Sequence, residues 1–287
     1  MKRKNRPVRR LCAAGLIAVL AAVGWYENYT VRVLTQPIVS ARLPEGFDGF
    51  RIAQISDLHA REFGKDNEHL VDLVRASKPD LIALTGDLAD ERRDPMALKP
   101  FLQALCAVAP VYFVTGNHEW VLQKKTRQAM LKMLDACGVR RLRNDYVTLT
   151  RGSDSIILAG VDDPNGPADQ KTPAQLFGEL REEADEDAFI LLLAHRNDEL
   201  ARWAHLGADV VLCGHAHGGI VRLPGLGGVL GTHYDLFPDY DAGLYTRGKT
   251  SMYVSPGFGG IRGLPLRFAN RPALCILELR RENTEKP

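Results

Sequence analysis

The sequence predicts an α/β fold with a two-sheet β-sandwich core flanked by helices. Short apolar, β-prone runs alternate with helical patterns from residue 50 to residue 206, a rhythm that is typical of α/β domains. After residue 214 the character changes, because glycine, proline and short β runs dominate residues 218–279. We expect that last segment to supply the second sheet. No internal repeat or compositional break divides residues 50–280, so we expect a single domain there.

The chain begins with a basic and then apolar segment over residues 1–28. Several lysines and arginines precede Leu11–Tyr26, a stretch without charge. Such a segment can be a cleaved signal peptide, an uncleaved membrane anchor or a buried helix. We expect the uncleaved anchor, because no clean small-x-small cleavage site of the Ala-x-Ala type precedes Trp25 and Tyr26. The stretch is shorter than the ~20 residues that span a bilayer comfortably, but the aromatic side chains at its end can lie in the interface and extend it.

The basic side of an anchor stays in the cytoplasm. We therefore expect a single N-terminal transmembrane helix in the inner, or cytoplasmic, membrane, with the folded domain on the periplasmic or extracellular side. Residues 29–49 are expected to form a linker and a first strand, with Pro37 and Pro44 marking turns. Residues 50–280 form the main domain, and residues 281–287 form a C-terminal tail.

Within the main domain, the strands and helices are predicted from apolar periodicity. The β-prone runs are residues 51–56, 81–85, 111–115, 155–161, 188–193 and 208–213. The helical patterns are residues 67–77, 96–108, 126–137, 172–185 and 198–206.

Bulk composition argues against several classes of protein. The formal net charge of the 287-residue chain is +2, with 25% charged and 45% hydrophobic residues. These values are typical neither of a nucleic-acid binder nor of a disordered acidic tail. The five cysteines form no Cys-x-x-Cys pair, which argues against a zinc finger. In an exported domain, Cys106 and Cys137 are candidates for a disulfide bond. We nevertheless expect the five cysteines to stay reduced.

Five short polar blocks follow five of the predicted strands. In open α/β sheets the loops beyond the carboxyl ends of the strands form the ligand crevice, so blocks that are far apart in sequence can converge there. Carboxylate, imidazole and amide oxygen donors suit catalytic Mn, Zn or Fe, in contrast to the thiolates of structural zinc sites. The sequence therefore predicts one metal site built by five loops. The blocks are Asp57-Leu58-His59, Gly86-Asp87-Leu88-Ala89-Asp90, Gly116-Asn117-His118-Glu119, Ala194-His195 and Gly214-His215-Ala216-His217.

The spacing of the blocks predicts how two divalent metal ions share them. Asp57 and His59 reach one ion from a single strand end, and His217 completes the ligands of that ion. Asp87 is the natural bridge, because a bridging carboxylate holds two cations roughly 3.5–4 Å apart, where they can activate a shared hydroxide. Besides Asp87, the ligands predicted for the second ion are Asn117, His195 and His215.

The blocks resemble the motifs of the calcineurin-like metallophosphoesterase family, which are D-x-H, G-D-x-x-D, G-N-H-E, a lone His and G-H-x-H in that order. The resemblance covers residues 50 to about 280, and residues 257–279 resemble the closing segment of the membrane-anchored, YkuE-like branch. It implies a four-layer αββα fold and a metal-dependent phosphoric ester hydrolase, a phosphodiesterase or phosphatase that uses metal-activated hydroxide. It also implies that the seven residues named above bind two metals and that His118 contacts the scissile phosphate and assists the leaving group.

The sequence leaves the substrate open beyond a phosphoester. Arg196 stands where this branch often has a proline, and Ile220 stands where a glutamine is common. Members that resemble the branch act on phosphodiesters, and an anchor suits a lipid substrate. The alternative is hydrolysis of the pyrophosphate of UDP-2,3-diacylglucosamine in lipid A biosynthesis. The expected orientation argues against it, because that intermediate is cytoplasmic, unless the helix only lies in the cytoplasmic leaflet.

Two other classes of function have less support. Some proteins of this fold have lost metal ligands and act as scaffolds, whereas this chain keeps every ligand and His118. A nuclease is disfavoured, and no nucleic-acid partner is expected, because no basic stripe accompanies the site. Among the other polar residues, we expect Asp90 and Glu119 to orient the ligands. His69 and His205 are expected on the surface or in packing roles, and His233 is a candidate for the pocket wall.

Overall fold

The computed structural model describes residues 6–167, 170–185, 187–232, 234–260 and 267–282. Its helices are α1 (Arg6–Tyr29), α2 (Glu68–Ala76), α3 (Lys99–Cys106), α4 (Asn117–Val121), α5 (Lys124–Ala136), α6 (Pro173–Glu183) and α7 (Leu200–Leu206). Its strands are β1 (Arg32–Ser40), β2 (Arg51–Ile55), β3 (Leu81–Thr85), β4 (Val111–Val114), β5 (Arg140–Arg141), β6 (Asp145–Arg151), β7 (Asp154–Gly160), β8 (Ile190–Leu193), β9 (Val210–Cys213), β10 (Arg222–Leu223), β11 (Gly227–Gly228), β12 (Gly243–Arg247), β13 (Thr250–Val254) and β14 (Ala273–Arg281).

The first sheet has the strand order β1-β14-β2-β3-β4-β5. Strands β2, β3, β4 and β5 are parallel, and Ile52 pairs with Leu81 while Ile82 pairs with Val111. The apolar runs of β2, β3 and β4 are almost fully buried, as is typical of parallel strands that are covered on both faces. The carboxyl ends of these three strands therefore meet at one edge.

The second sheet has the strand order β12-β13-β9-β8-β7-β6. Its central strands β13, β9, β8 and β7 are parallel, and antiparallel β12 and β6 form its edges. Leu193 at the end of β8 pairs with Leu212 near the end of β9. The residues that follow these two strands therefore start at nearly the same level.

The two sheets pack face to face around one apolar cluster. Ile52, Ala83 and Val114 of the first sheet meet Leu191 and Leu212 of the second sheet there. Helices α2, α3 and α5 cover the outer face of the first sheet, and α6 and α7 cover that of the second. The order of layers is helix, sheet, sheet, helix, so the predicted four-layer α/β fold is confirmed.

The expectation that residues 218–279 supply the second sheet was right only for two strands, because β6, β7, β8 and β9 of that sheet come before residue 214. Strands β12 and β13 do join that sheet, but β14 lies between β1 and β2 in the first sheet. It is parallel to β1, with Arg32 opposite Ala273, and antiparallel to β2. An apolar β-prone run indicates burial, but it carries no information about which sheet it will join.

Helix α1 is longer than the apolar stretch recognised in the sequence. Its segment Arg10–Tyr29 has 20 residues, and its most apolar window is only 6% buried against the rest of the chain. By length and composition this helix can cross a membrane. A helix in the core of a domain would be mostly buried, so the buried-helix alternative for this segment is excluded.

Candidate metal centre

Each of the five polar blocks begins just after a strand end. In the first sheet β2 ends at Ile55, β3 at Thr85 and β4 at Val114, and in the second sheet β8 ends at Leu193 and β9 at Cys213. Both sheets therefore contribute to the same site. The side chains that follow these ends are Asp57, His59, Asp87, Asn117, His118, His195, His215 and His217.

A first donor cluster contains the four side chains predicted for the first ion. One potential ligand atom each from Asp57, His59, Asp87 and His217 lies within 4.8 Å of the other three. Nε2 of His59 is 3.8 Å from Oδ2 of Asp87, and Nε2 of His217 is 3.7 Å from Oδ1 of Asp57. All four side chains are buried, so the structure brings together residues from three different strand ends.

A second donor cluster shares Asp87 with the first. Ligand atoms of Asp87, His195 and His215 again lie within 4.8 Å of one another. Oδ2 of Asp87 is 3.3 Å from Nε2 of His195. Oδ1 of Asn117 is 3.2 Å from the same nitrogen, which places the predicted amide ligand beside this cluster. All seven residues predicted as ligands therefore converge, with Asp87 between the two groups.

The donor set fits a dinuclear site for divalent metal ions. Both ring nitrogens of His59 are buried, and within the described part of the chain neither has a hydrogen-bond partner. Burying a polar atom without a partner is costly, so such an atom requires an explanation. A cation held between His59 and Asp87 provides one, and carboxylate, imidazole and amide donors are suitable ligands for such ions.

The backbone is strained at the same positions. The φ angles of Asp57, His59, Asp87, His215 and His217 are 53°, 49°, 53°, 67° and 48°. Left-handed conformations cost a residue with a side chain roughly 1–2 kcal/mol each. Strain of this kind persists where the surrounding structure enforces it, and it clusters at functional sites. The fold therefore holds five donors in place against local preference.

Burial and neighbouring charges set the protonation of the donors. Burial lowers the pKa of His59 and of His215 well below the usual value, which keeps both imidazoles neutral and able to bind a metal. Burial acts the same way on His195, but the Asp87 carboxylate raises the pKa of His195 to about 10. Burial also acts to raise the pKa of Asp87. The charge of His195 and its contact with the carboxylate nevertheless hold the pKa of Asp87 well below its usual range. A cation beside Asp87 would balance the negative charge of this carboxylate in place of His195.

Glu119 ties the loops after β3 and β4 together. Its buried carboxylate accepts hydrogen bonds from the backbone N–H groups of Asp87 at 2.9 Å, Ala89 at 3.1 Å and Gly116 at 2.7 Å. Burial, followed by the nearby Asp87 charge, raises the pKa of Glu119 to about 7. The carboxylate is fully engaged with backbone donors, which matches the orienting role expected from the sequence.

Arg267 performs a similar task for the loop after β9. This buried guanidinium donates to the carbonyl of His217 at 2.6 Å and to that of Gly257 at 2.8 Å, and also to the carbonyl of Pro256. Asn270 Nδ2 donates to the same His217 carbonyl at 2.8 Å. Burial lowers the pKa of Arg267 to about 9. The strained backbone at His217 is thus held by two side chains from the C-terminal segment.

Sequence reasoning missed two residues next to the site. Oε2 of Glu91 is 3.2 Å from Nδ1 of His118, although the block had been ended at the preceding aspartate. Arg196, noted only as a departure from the branch, pairs with Asp163 at 2.6 Å and lies 3.2 Å from Nε2 of His215. Both follow directly after a predicted block, so extending each block by one residue would have included them.

The donor clusters open into a cavity of about 390 Å³. Its wall includes His118, which is half-buried at the start of α4. A volume of this order is typical of small-molecule sites. His69 and His205 lie exposed on α2 and α7, as expected. His233, the candidate for the wall, lies outside the described residues.

Gly86 allows the second cluster to form. Its φ is +85°, and a Cβ added there would lie 2.6 Å from both the backbone nitrogen of Gly116 and Nδ1 of His195. We expect Gly86→Ala to lower the free energy of unfolding by roughly 2–4 kcal/mol, because backbone strain and overpacking add. The matched control is Gly207→Ala, at φ +93° with nothing within 4 Å, which should cost only about 1–2 kcal/mol. Equal losses in chemical denaturation would contradict the steric argument.

Known proteins are similar in sequence to most of this chain. The family model for calcineurin-like phosphoesterases matches residues 50–219. The chain is 31% identical over 283 residues to the uncharacterized metallophosphoesterase YkuE of Bacillus subtilis (strain 168), covering 94% of each chain. It is 28% identical over 260 residues to phosphodiesterase YaeI of Escherichia coli (strain K12), covering 89% of each.

A third relative carries a membrane description in its name. The chain is 27% identical over 282 residues to a transmembrane protein with metallophosphoesterase domain of Danio rerio, covering 92% of this chain and 61% of that protein. The family model spans more than half of the chain, and the buried donor clusters lie within the residues that it matches. The protein therefore belongs to the calcineurin-like phosphoesterase family, in its YkuE-like branch, and is a metal-dependent phosphoric ester hydrolase.

Proposed function

We propose that this protein is a membrane-anchored phosphodiesterase with two divalent metal ions at its active site. The observation that carries the proposal is that two buried donor clusters share Asp87 and open into one cavity. Divalent cations held there would supply Lewis acidity to the phosphoryl group and lower the pKa of water, so that hydroxide is available near neutral pH. Asp57, His59 and His217 would hold one ion with Asp87. The residues that would hold the other ion with Asp87 are Asn117, His195 and His215.

His118 would act on the leaving group. Its backbone N–H donates to Oδ1 of Asp87 at 2.8 Å, which fixes the residue beside the shared carboxylate. Its Nδ1 is next to Glu91, so a proton on Nδ1 can be held by that carboxylate. Nε2 then remains to give a proton to the departing oxygen, which is the task of a general acid.

The anchor is supported by the exposure of α1 and by the basic residues before it. A helix of this length and hydropathy suits a single membrane crossing. The positive-inside rule would then put the domain on the periplasmic or extracellular face. The name of YaeI supports a phosphodiester substrate in preference to a monoester.

The test is an assay of the full chain in detergent with bis-p-nitrophenyl phosphate. We expect hydrolysis that disappears when a chelator removes the metal and returns when Mn²⁺, Zn²⁺ or Fe²⁺ is added back. The metal that restores the highest rate identifies the best candidate for the native ion. A panel with p-nitrophenyl phosphate and UDP-2,3-diacylglucosamine decides between the diester and the two alternatives. A rate that does not change on chelation would contradict the proposal.

A further inference from the structure

The end of the N-terminal helix forms part of the wall of the catalytic cavity. Asn28 and Tyr29, the last residues of α1, line the cavity together with His59 and His118. Building on the proposed function, we infer that the cavity opens at the membrane surface and takes the phosphodiester headgroup of a lipid that remains in the bilayer. Four features of the chain support this placement.

The first feature is the rigid attachment of α1 to the domain. Asn28 is 2% exposed; its Oδ1 accepts from the backbone N–H of Arg267 at 2.8 Å, and its Nδ2 donates to the Arg267 carbonyl at 3.1 Å. Arg61 donates to the Asn28 carbonyl at 2.6 Å, and Arg271 lies 4.3 Å from the centre of the Tyr26 ring. A membrane helix held this way fixes the direction in which the cavity faces.

The second feature is a group of exposed apolar side chains in chain segments at or beside the cavity wall, here called the mouth collar. Tyr29 and Tyr234 line the cavity, and Leu236 and Phe237 follow in the same loop as Tyr234. Phe268 adjoins the residue whose backbone holds α1. The exposed fractions are 58% for Tyr29, 72% for Tyr234, 69% for Leu236, 51% for Phe237 and 59% for Phe268. Exposed apolar and aromatic side chains beside the end of a membrane helix are typical of contact with the bilayer interface, where aromatic side chains are favoured.

The third feature is positive charge next to the collar. Arg61, Arg92 and Arg93 line the cavity. Guanidinium groups bind phosphate well and are attracted to the anionic headgroup region of a membrane. Two acidic residues of the same wall have partners of their own, since Oε2 of Glu91 lies 3.2 Å from Nδ1 of His118 and Asp90 accepts from the backbone N–H of Arg92. Arg61 and Arg93 donate to backbone carbonyls, which hold their guanidinium groups at the wall without neutralising their charge. That positive charge attracts the lipid phosphate.

The fourth feature is the size of the cavity. Its volume of about 390 Å³ suits a headgroup, not a whole lipid with its acyl chains. The chains would stay in the bilayer while the phosphodiester enters the site. Water then adds to phosphorus and one ester P–O bond breaks. The departing alkoxide takes a proton, so the products are a phosphomonoester and an alcohol.

The experiment uses the full chain reconstituted into vesicles of phosphatidylcholine and phosphatidylglycerol. Release of phosphomonoester from the bilayer lipid is compared with hydrolysis of glycerophosphoglycerol, which has the same headgroup chemistry without acyl chains. Bis-p-nitrophenyl phosphate in detergent reports the proposed function separately. We expect the bilayer lipid to be hydrolysed faster than its soluble counterpart.

Charged substitutions in the mouth collar test the docking surface. Phe237→Asp combined with Phe268→Asp should lower the ratio of bilayer to soluble rate by about tenfold or more, because charge in place of an aromatic ring opposes insertion at the interface. The matched control is Val39→Asp, which changes a side chain of 54% exposure near the far end of β1. That variant should keep the ratio of the unchanged chain.

The outcomes separate this inference from the proposed function. Hydrolysis of both soluble diesters without hydrolysis of the bilayer lipid would overturn the inference and leave the proposed function standing. An unchanged ratio in the collar variant would overturn the docking surface and with it the inference. Failure on bis-p-nitrophenyl phosphate with every metal would instead refute the proposed function.

Discussion

Asp87→Asn is expected to lower hydrolysis of bis-p-nitrophenyl phosphate by about 10³-fold and to reduce the bound metal. Oδ2 of Asp87 is 3.3 Å from Nε2 of His195 and 3.8 Å from Nε2 of His59, so one carboxylate serves both donor clusters. An amide has no charge and a single acceptor oxygen, and it cannot replace a bridging carboxylate. Steady-state kinetics measure the turnover, and elemental analysis of desalted protein measures the metal.

The matched control for this substitution is Asp72→Asn. Asp72 is an exposed carboxylate on α2 that pairs with Arg75, and exposed pairs of this kind contribute little to stability. The same chemical change there should leave both turnover and metal content as they are. If Asp87→Asn kept two metals and the full rate, the assignment of Asp87 as the bridge would be wrong.

His118→Ala is expected to discriminate between leaving groups. Diesters of alkyl alcohols need a proton on the departing oxygen, and loss of a general acid typically slows such reactions by about 10²–10⁴-fold. Esters of p-nitrophenol should slow far less, because p-nitrophenolate departs without a proton. The ratio of the two rates, measured at constant metal content, therefore isolates the proton from any general damage to the site.

The control for this variant is His69→Ala, since His69 lies exposed on α2. It should change neither rate. Equal slowing of the alkyl and nitrophenyl esters by His118→Ala would assign His118 to substrate binding or to support of the metal centre. The acid role would then be withdrawn, while the placement of the ligands would be unaffected.

Much of the fold could be predicted because strand and helix leave different apolar periods in the sequence. The buried runs of β2, β3, β4, β8 and β9 were recognised, and with them the common edge that gathers the donors. The convergence of the polar side chains could be predicted because carboxylates and imidazoles follow successive strand ends that share one edge. Asp57 and His215 illustrate how distant blocks converge, because the backbone N–H of His215 donates to Oδ1 of Asp57 at 3.1 Å.

The rest depended on contacts that have no local pattern. The place of β14 in the first sheet follows from packing between β1 and β2, and the pairing of Glu91 with His118 follows from the path of a loop. The hydrogen bonds between the Asn28 side chain and the Arg267 backbone join segments at opposite ends of the chain. Spacing within a block cannot indicate such partners, because each depends on how distant elements are oriented.

The position of β14 bears on how the molecule is made. Arg32 at the start of β1 pairs with Ala273 at the start of β14. Because β14 is synthesised far later, β1 cannot pair in the sheet until then. At the usual pace of translation this delay is roughly 10–50 s, and such distant pairing is itself slow to form. If α1 delivers the nascent polypeptide to a translocon, the domain is threaded through as an open chain. Its first sheet then closes only on the far side, after synthesis has nearly ended.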